Sequence, residues 1–179
     1  MLLGTKIGVS QTKGSDPLLI ANFETPQTSL QWKTVNDGVM GGISKGDSYI
    51  TEASQLLFKG DISLENNGGF SSIRTYGQSY NLKEYKGIEI RFKGDGRKYY
   101  FTSRVSNRNM LAFWSPLDTE EDKWQTVRIP FSSFYATSFG RKIQGRKLDI
   151  SDITSFGIML YDKNDGRFSL LIDSIQAYK

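Results

Sequence analysis

The chain of 179 residues contains no histidine and no cysteine. Those two absences exclude an imidazole general base, a thiol nucleophile, serine triads, the usual nitrogen and sulfur zinc sites, and disulfides. Only carboxylates, Tyr, Lys, Arg and Ser remain for chemistry. No apolar run approaches the roughly 18 residues that cross a membrane as a helix. The opening Met1-Leu2-Leu3-Gly4-Thr5-Lys6 is too poor in hydrophobics for a secretory signal. Charge of one sign is not concentrated either: 23 basic residues stand against 19 acidic ones, interspersed along the chain, for a net +4. That pattern argues against a nucleic-acid footprint. The densest basic spots, Arg97-Lys98 and the group Arg141, Lys142, Arg146 and Lys147, read as solvated surface.

Eighteen glycines accompany only four prolines, and aromatics make up 13% of the chain. This is the composition of many strands and many turns. Ile88-Glu89-Ile90-Arg91-Phe92-Lys93 alternates apolar and charged side chains and predicts a half-buried antiparallel strand. Similar strands are predicted at 18–23, 31–35, 48–52, 55–63, 70–75, 98–106, 111–117, 124–130, 154–161 and 167–178. So many strands without helical periods predict an all-β fold, an antiparallel β-sandwich. Asp162-Lys163-Asn164-Asp165-Gly166 reads as a hairpin turn that pairs the last two strands. Segment 131–153 lacks alternation and reads as a long connection pinned by Phe131, Phe134, Tyr135 and Phe139, with room for a helical turn. Residues 1–17 read as a loosely held arm before a single domain over 18–179.

The most informative segments are Asn36-Asp37-Gly38-Val39-Met40-Gly41-Gly42 and Asn66-Asn67-Gly68-Gly69-Phe70. Asn or Asp beside paired glycines suits tight turns, because glycine supplies positive φ and the polar side chain bonds its own backbone. Together with Gly94-Asp95-Gly96-Arg97, Trp124 through Phe131, Phe156-Gly157-Ile158-Met159-Leu160 and Phe168 through Ile175, these segments resemble the complex I intermediate-associated protein family over residues 18–178. The resemblance implies a jelly roll of galactose-binding-like type. It further implies a non-enzymatic binding protein, similar to assembly factors that hold subunits or intermediates of respiratory (complex I type) or photosynthetic membrane complexes. The alternative is a carbohydrate-binding module with a glycan partner. An enzyme working through Asp37 with Asp95, or Asp118 with Glu120 and Glu121, is disfavoured, since solvation accounts for those carboxylates more simply.

Within the motifs the polar positions Asn36, Asp37, Asn66, Asn67, Arg74 and Arg97 are binding candidates. The competing reading is structural, with Arg74 or Arg97 pairing with Asp37 or Asp95 and the asparagines shaping turns. Alternation places Tyr100, Thr102 and Arg104 opposite Tyr99, Phe101 and Val105, and Trp114 opposite Leu111 and Phe113. Tyr100, Arg104 and Trp114 therefore form a candidate ligand face, with Trp114 either a platform or a cap on the second sheet. Trp32 and Trp124 are expected in the core. Glu24 after Phe23 and Asp173 after Ile172 resemble the ligands of a structural calcium in carbohydrate-binding jelly rolls; ordinary turn carboxylates are the other reading, and no other cofactor is expected. Residues 1–17 hold no Arg and only two Ser, unlike a mitochondrial transit peptide, so the expected setting is a bacterial cytoplasm, peripheral to a membrane only through a client.

Overall fold

The computed structural model describes residues 16–24, 32–105 and 111–179. Residues 1–15 of the expected arm lie outside that set. Among the described residues the chain folds into thirteen strands, numbered in chain order, and four short 3₁₀ turns. One sheet contains β1 (Leu18–Ala21), β3 (Lys45–Ile50), β4 (Leu56–Ile62), β6 (Gly87–Lys93), β9 (Trp124–Pro130) and β13 (Gly166–Tyr178). Its order is β3-β4-β13-β6-β9, with β1 also paired to β13. The other contains β2 (Lys33–Asn36), β5 (Ser71–Arg74), β7 (Lys98–Arg104), β8 (Ala112–Asp118), β10 (Tyr135–Ser138), β11 (Arg141–Lys142) and β12 (Ser155–Leu160). Its order is β11-β10-β8-β7-β12-β5-β2, and every strand ladder in both sheets is antiparallel. The fold is the expected antiparallel sandwich of jelly-roll type. No helix among the described residues is long and apolar enough to cross a membrane.

Inward-facing side chains of both sheets meet in one core. Phe58, Ile88, Ile90 and Phe92 come from the six-stranded sheet; Tyr99, Phe101, Phe156 and Ile158 come from the seven-stranded one, and all are fully buried. Phe58 packs edge-on against Phe168 at 4.8 Å, and Phe101 lies 5.6 Å from Phe156. Each such side chain removed from water stabilises the fold by about 1.5–3 kcal/mol.

Three expectations need correction. The 162–166 turn does not pair its flanking strands: β12 bonds β5 and β7, whereas β13 bonds β4, β6 and β1, so the turn carries the chain from one sheet to the other. Segment 131–153 is not merely a connection, because β10 and β11 form a hairpin that extends the seven-stranded sheet beyond β8. Trp124 is not core. It opens β9 with 41% of its surface exposed, on the outer face, where the Arg91 guanidinium covers the ring at 4.5 Å. Trp124→Ala is accordingly expected to cost about 1–2 kcal/mol in a urea titration, less than the roughly 3–5 kcal/mol of a core Trp→Ala, because a solvated cation–π contact and only partial burial are lost. Trp32, by contrast, is half-buried against the core with Phe23 at 6.4 Å.

Candidate functional site

The outer face of the seven-stranded sheet carries a groove of about 460 Å³. Register aligns the sheet beneath it: Lys33, Arg74, Gly157, Thr102, Trp114 and Tyr135 are successive cross-strand partners from β2 to β10 and form one row, of which Arg74 and Trp114 line the groove. Trp114 and Met159, each 8% exposed, form a second apolar cluster with Ala112, outside the main core. Tyr100 lies 5.1 Å from the Trp114 ring and Tyr161 packs on it edge-on at 5.8 Å. Alternation thus placed Tyr100, Arg104 and Trp114 on the correct face. Of the two readings of Trp114, its geometry is nearer the cap than the open platform: at 8% exposure the ring lies in the floor of the groove, packed against Tyr100 and Tyr161.

The rim is apolar and open to water. Val39 is 76% exposed, Met40 53% and Phe139 69%. Val39 and Met40 lie in the 3₁₀ turn Asp37–Met40, between β2 and β3. Phe139 and Gly140 form the two-residue tip of the β10–β11 hairpin, both at positive φ (47° and 74°). That geometry is the two-residue turn of a tight hairpin, which normally takes Asn or Gly. A bulky residue there is a backbone outlier with no packing return in the core, a combination that concentrates at functional positions. None of these three rim residues follows a strand period, and only the unsuitability of Phe for the turn could have singled out Phe139 in the sequence.

The two glycine motifs converge on one carboxylate. Asp37 is fully buried and accepts the Ser44 N–H at 3.0 Å, the Ser44 hydroxyl, the Gly69 N–H at 2.7 Å and the Phe70 N–H at 3.3 Å. Glycine is required by close approach, since a Cβ on Gly42 would sit 2.4 Å from Asp37 Cγ and one on Gly68 would sit 2.7 Å from Asp37 Oδ2. Burial alone would raise the Asp37 pKa; the Ser44 hydroxyl and the N–H groups of Gly69, Phe70 and Ser44 outweigh it and hold the carboxyl below the ordinary value. Asn36 is likewise spent on structure, accepting from Gly46 N–H and the Ser71 hydroxyl while donating to the Gly46 carbonyl. Asn66 and Asn67 both take left-handed backbone conformations (φ 55° and 60°) in the second motif, and Asn67 lines the groove.

Arg97 is neither solvated nor at the groove. Its guanidinium makes a two-pronged bond to Asp162, at 2.9 and 2.7 Å, and donates to the carbonyls of Gly166, Arg167 and Asn164. The side chains of the pair are 13% and 8% exposed, and they secure the sheet-to-sheet crossing. The expected pairing with Asp37 or Asp95 is replaced: Asp95 accepts the Arg97 backbone N–H, the Tyr99 hydroxyl and the Ser169 N–H. Arg74 and Arg104 lie in the groove, and neither meets a carboxylate among the described residues; Arg74 donates to Ser72 Oγ and Arg104 reaches the Leu111 carbonyl at 3.5 Å.

The two carboxylates considered for calcium each have a protein partner: Glu24 accepts from Asn22, while Asp173, the extra residue at a register shift of β13, is held by Arg91 at 3.2 Å and Gln55 at 3.1 Å. Calcium takes six to eight oxygens, and no three acidic side chains cluster among the described residues. Of the acidic residues considered for catalysis, Asp118 meets Lys98 and Glu120 meets Lys123, and no carboxylate lines the groove.

Comparison with known proteins agrees with this architecture. A carbohydrate-binding module of family 11 from a Clostridium thermocellum cellulase superposes with a TM-score of 0.69 at 14% identity, covering 93% of this chain and 96% of that one. The same module in complex with a β-1,3-1,4-mixed-linked tetrasaccharide gives 0.64 at 16% identity, covering 92% and 96%. Identities this low speak to the fold alone. In sequence, an uncharacterized protein of Schizosaccharomyces pombe is 34% identical over 172 residues, covering 82% of this chain and 77% of that protein. The mitochondrial complex I intermediate-associated protein 30 of Mus musculus is 33% identical over 107 residues, 56% of this chain and 32% of its own length. The Drosophila melanogaster protein of that name is 26% identical over 196 residues, 90% and 66%. The chain thus spans between a third and three quarters of these relatives. Relatives named mitochondrial, from mouse, Caenorhabditis, Drosophila and Neurospora, overturn the expected bacterial cytoplasm. With the model of complex I intermediate-associated protein 30 matching residues 21–172, the chain belongs to that family.

Proposed function

We propose that this chain is a non-enzymatic binding protein that holds a subunit or assembly intermediate of mitochondrial complex I, and that the groove on the seven-stranded sheet is where it does so. The observation that carries the proposal is the open apolar rim: Val39, Met40 and Phe139 expose large side chains around a groove whose floor is already packed. Exposed hydrophobics gathered at a concave site are typical of protein contacts. Family membership supports the choice of partner, since the matched relatives are named for a complex I intermediate.

The test combines Val39→Asp with Phe139→Asp. Both side chains are exposed and Asp tolerates left-handed backbone, so the variant should melt within about 2 °C of the parent chain. Affinity capture from mitochondria should recover complex I subunits with the parent chain and at least about ten-fold less with the variant, since hot-spot truncations cost 2 kcal/mol or more. Capture without complex I subunits, or equal capture by both proteins, would overturn the assignment. Titration with the mixed-linked glucan tetrasaccharide should give no heat, because Trp114 presents no free ring; Kd in the millimolar range or below would instead favour a carbohydrate-binding module.

A further inference from the structure

Arg74 and Arg104 place two guanidinium groups in one semi-enclosed groove. Arg74 on β5 and Arg104 on β7 pair with Gly157 and Ser155 on the intervening β12, so they flank one strand, two residues apart. Gly157 keeps the space between them clear: a Cβ there would lie 2.7 Å from Thr102 Oγ1 and 3.0 Å from Arg74 Cβ. Both side chains are half-buried. Burial lowers the pKa of Arg104 and the Arg74 charge lowers it further, so the fold itself works against two cations at this spot. Guanidinium groups removed from water are normally matched by carboxylates, as Arg97, 13% exposed, is matched by Asp162. The residues lining the groove include no acid.

We propose that the groove binds a protein segment that presents an Asp or Glu carboxylate to Arg74 and Arg104 while apolar neighbours in the same segment pack against Met159 and the rim of Val39, Met40 and Phe139. This rests on the protein-binding reading above and names the chemistry of the partner. A carboxylate accepts paired N–H donors in the plane of a guanidinium, and the low-dielectric walls of Trp114, Phe70 and Tyr161 strengthen that contact. Charge complementarity selects such a segment over a neutral glucan, which would leave both cations unmatched.

The probe is a displayed library of random 12-residue peptides, panned against the full chain and against Arg74→Gln, Arg104→Gln and the double variant. Peptides enriched on the parent chain should carry Asp or Glu with an aliphatic or aromatic residue within two positions. A synthesised member should lose about 10- to 100-fold in affinity with either single variant, the range expected for one charge-assisted bond. Replacing its acid by the amide should cost a similar factor, and raising salt should weaken binding. Because each substitution removes one of two repelling charges, the variants should melt no lower than the parent chain, which separates lost recognition from lost fold. Enriched peptides without acids, affinity unmoved by both variants, or preferential binding to vesicles of anionic phospholipid would overturn the inference. Should the double Gln variant capture complex I subunits undiminished while Val39→Asp with Phe139→Asp does not, the groove stands as the docking site and the carboxylate is not its recognition element.

Discussion

Asp37→Ala is expected to lower folding stability by about 3–4 kcal/mol, a fall in Tm of roughly 10 °C for a chain of this size. The substitution strands the N–H groups of Ser44, Gly69 and Phe70 and leaves the Ser44 hydroxyl only the Ser63 carbonyl, at 3.2 Å, as acceptor. Four donors lose one acceptor, and the glycines that crowd the carboxylate leave a void. Asp37→Asn separates charge from volume: it keeps the shape, but one oxygen becomes a donor aimed at other donors, so most of the loss should persist. The pH dependence follows from the depressed pKa of Asp37. Its folded value lies below the unfolded one of about 3.9, so its contribution is complete above that pH and is lost as pH falls through the folded value. Thermal melts from pH 7 to pH 2 should therefore decline less steeply below about pH 4 in Asp37→Asn than in the parent chain. A Tm within 2 °C of the parent, or parallel acid slopes, would remove Asp37 from its central place. The same variant should also weaken partner capture, because the turn it anchors carries Val39 and Met40.

Arg97→Ala carries the second large effect, about 3–5 kcal/mol by urea denaturation. It leaves the Asp162 carboxylate, 8% exposed, without its cation, and the carbonyls of Asn164, Gly166 and Arg167 lose their donor. Burial alone would raise the pKa of Asp162, but bonds from Arg97 and Asn164 overcome it and hold the value low, so acid acts here in the same direction as at Asp37. Arg97→Lys should recover little, since an ammonium cannot span both carboxylate oxygens and three carbonyls. In a double-mutant cycle with Asp162→Ala the two losses should fall short of adding by about 2 kcal/mol or more. Additive losses would mean that the pair contributes no coupling and that the crossing is held by its backbone alone.

The sandwich was legible because half-burial imposes a period of two, seen in the 88–93 segment, and because alternation assigned Tyr100, Arg104 and Trp114 to the outer face. The Asn and Gly motifs were legible as turns. What no local pattern could reveal is where those turns meet: Asp37 joins residues 44, 69 and 70, and Arg97 bonds Asp162 from 65 residues away. The 162–166 turn misled for the same reason, since Asp, Asn and Gly specify a bend and not the sheet that the next strand enters. Trp124 was misplaced because its burial depends on which face of β9 meets the core, and a cross-strand cation, Arg91, makes exposure tolerable there. Strands β10 and β11 are too short to show a period.

The position of β13 bears on how the chain is made. The six-stranded sheet is ordered around residues 166–178, with β4 on one flank and β6 on the other. Until a ribosome has released that segment, the β3–β4 and β6–β9 ribbons each keep an unsatisfied edge, open to wrong partners. Nascent chains arrested before residue 166 should depend on chaperones and be cut readily by protease, and protection should arrive abruptly once residue 178 clears the exit tunnel.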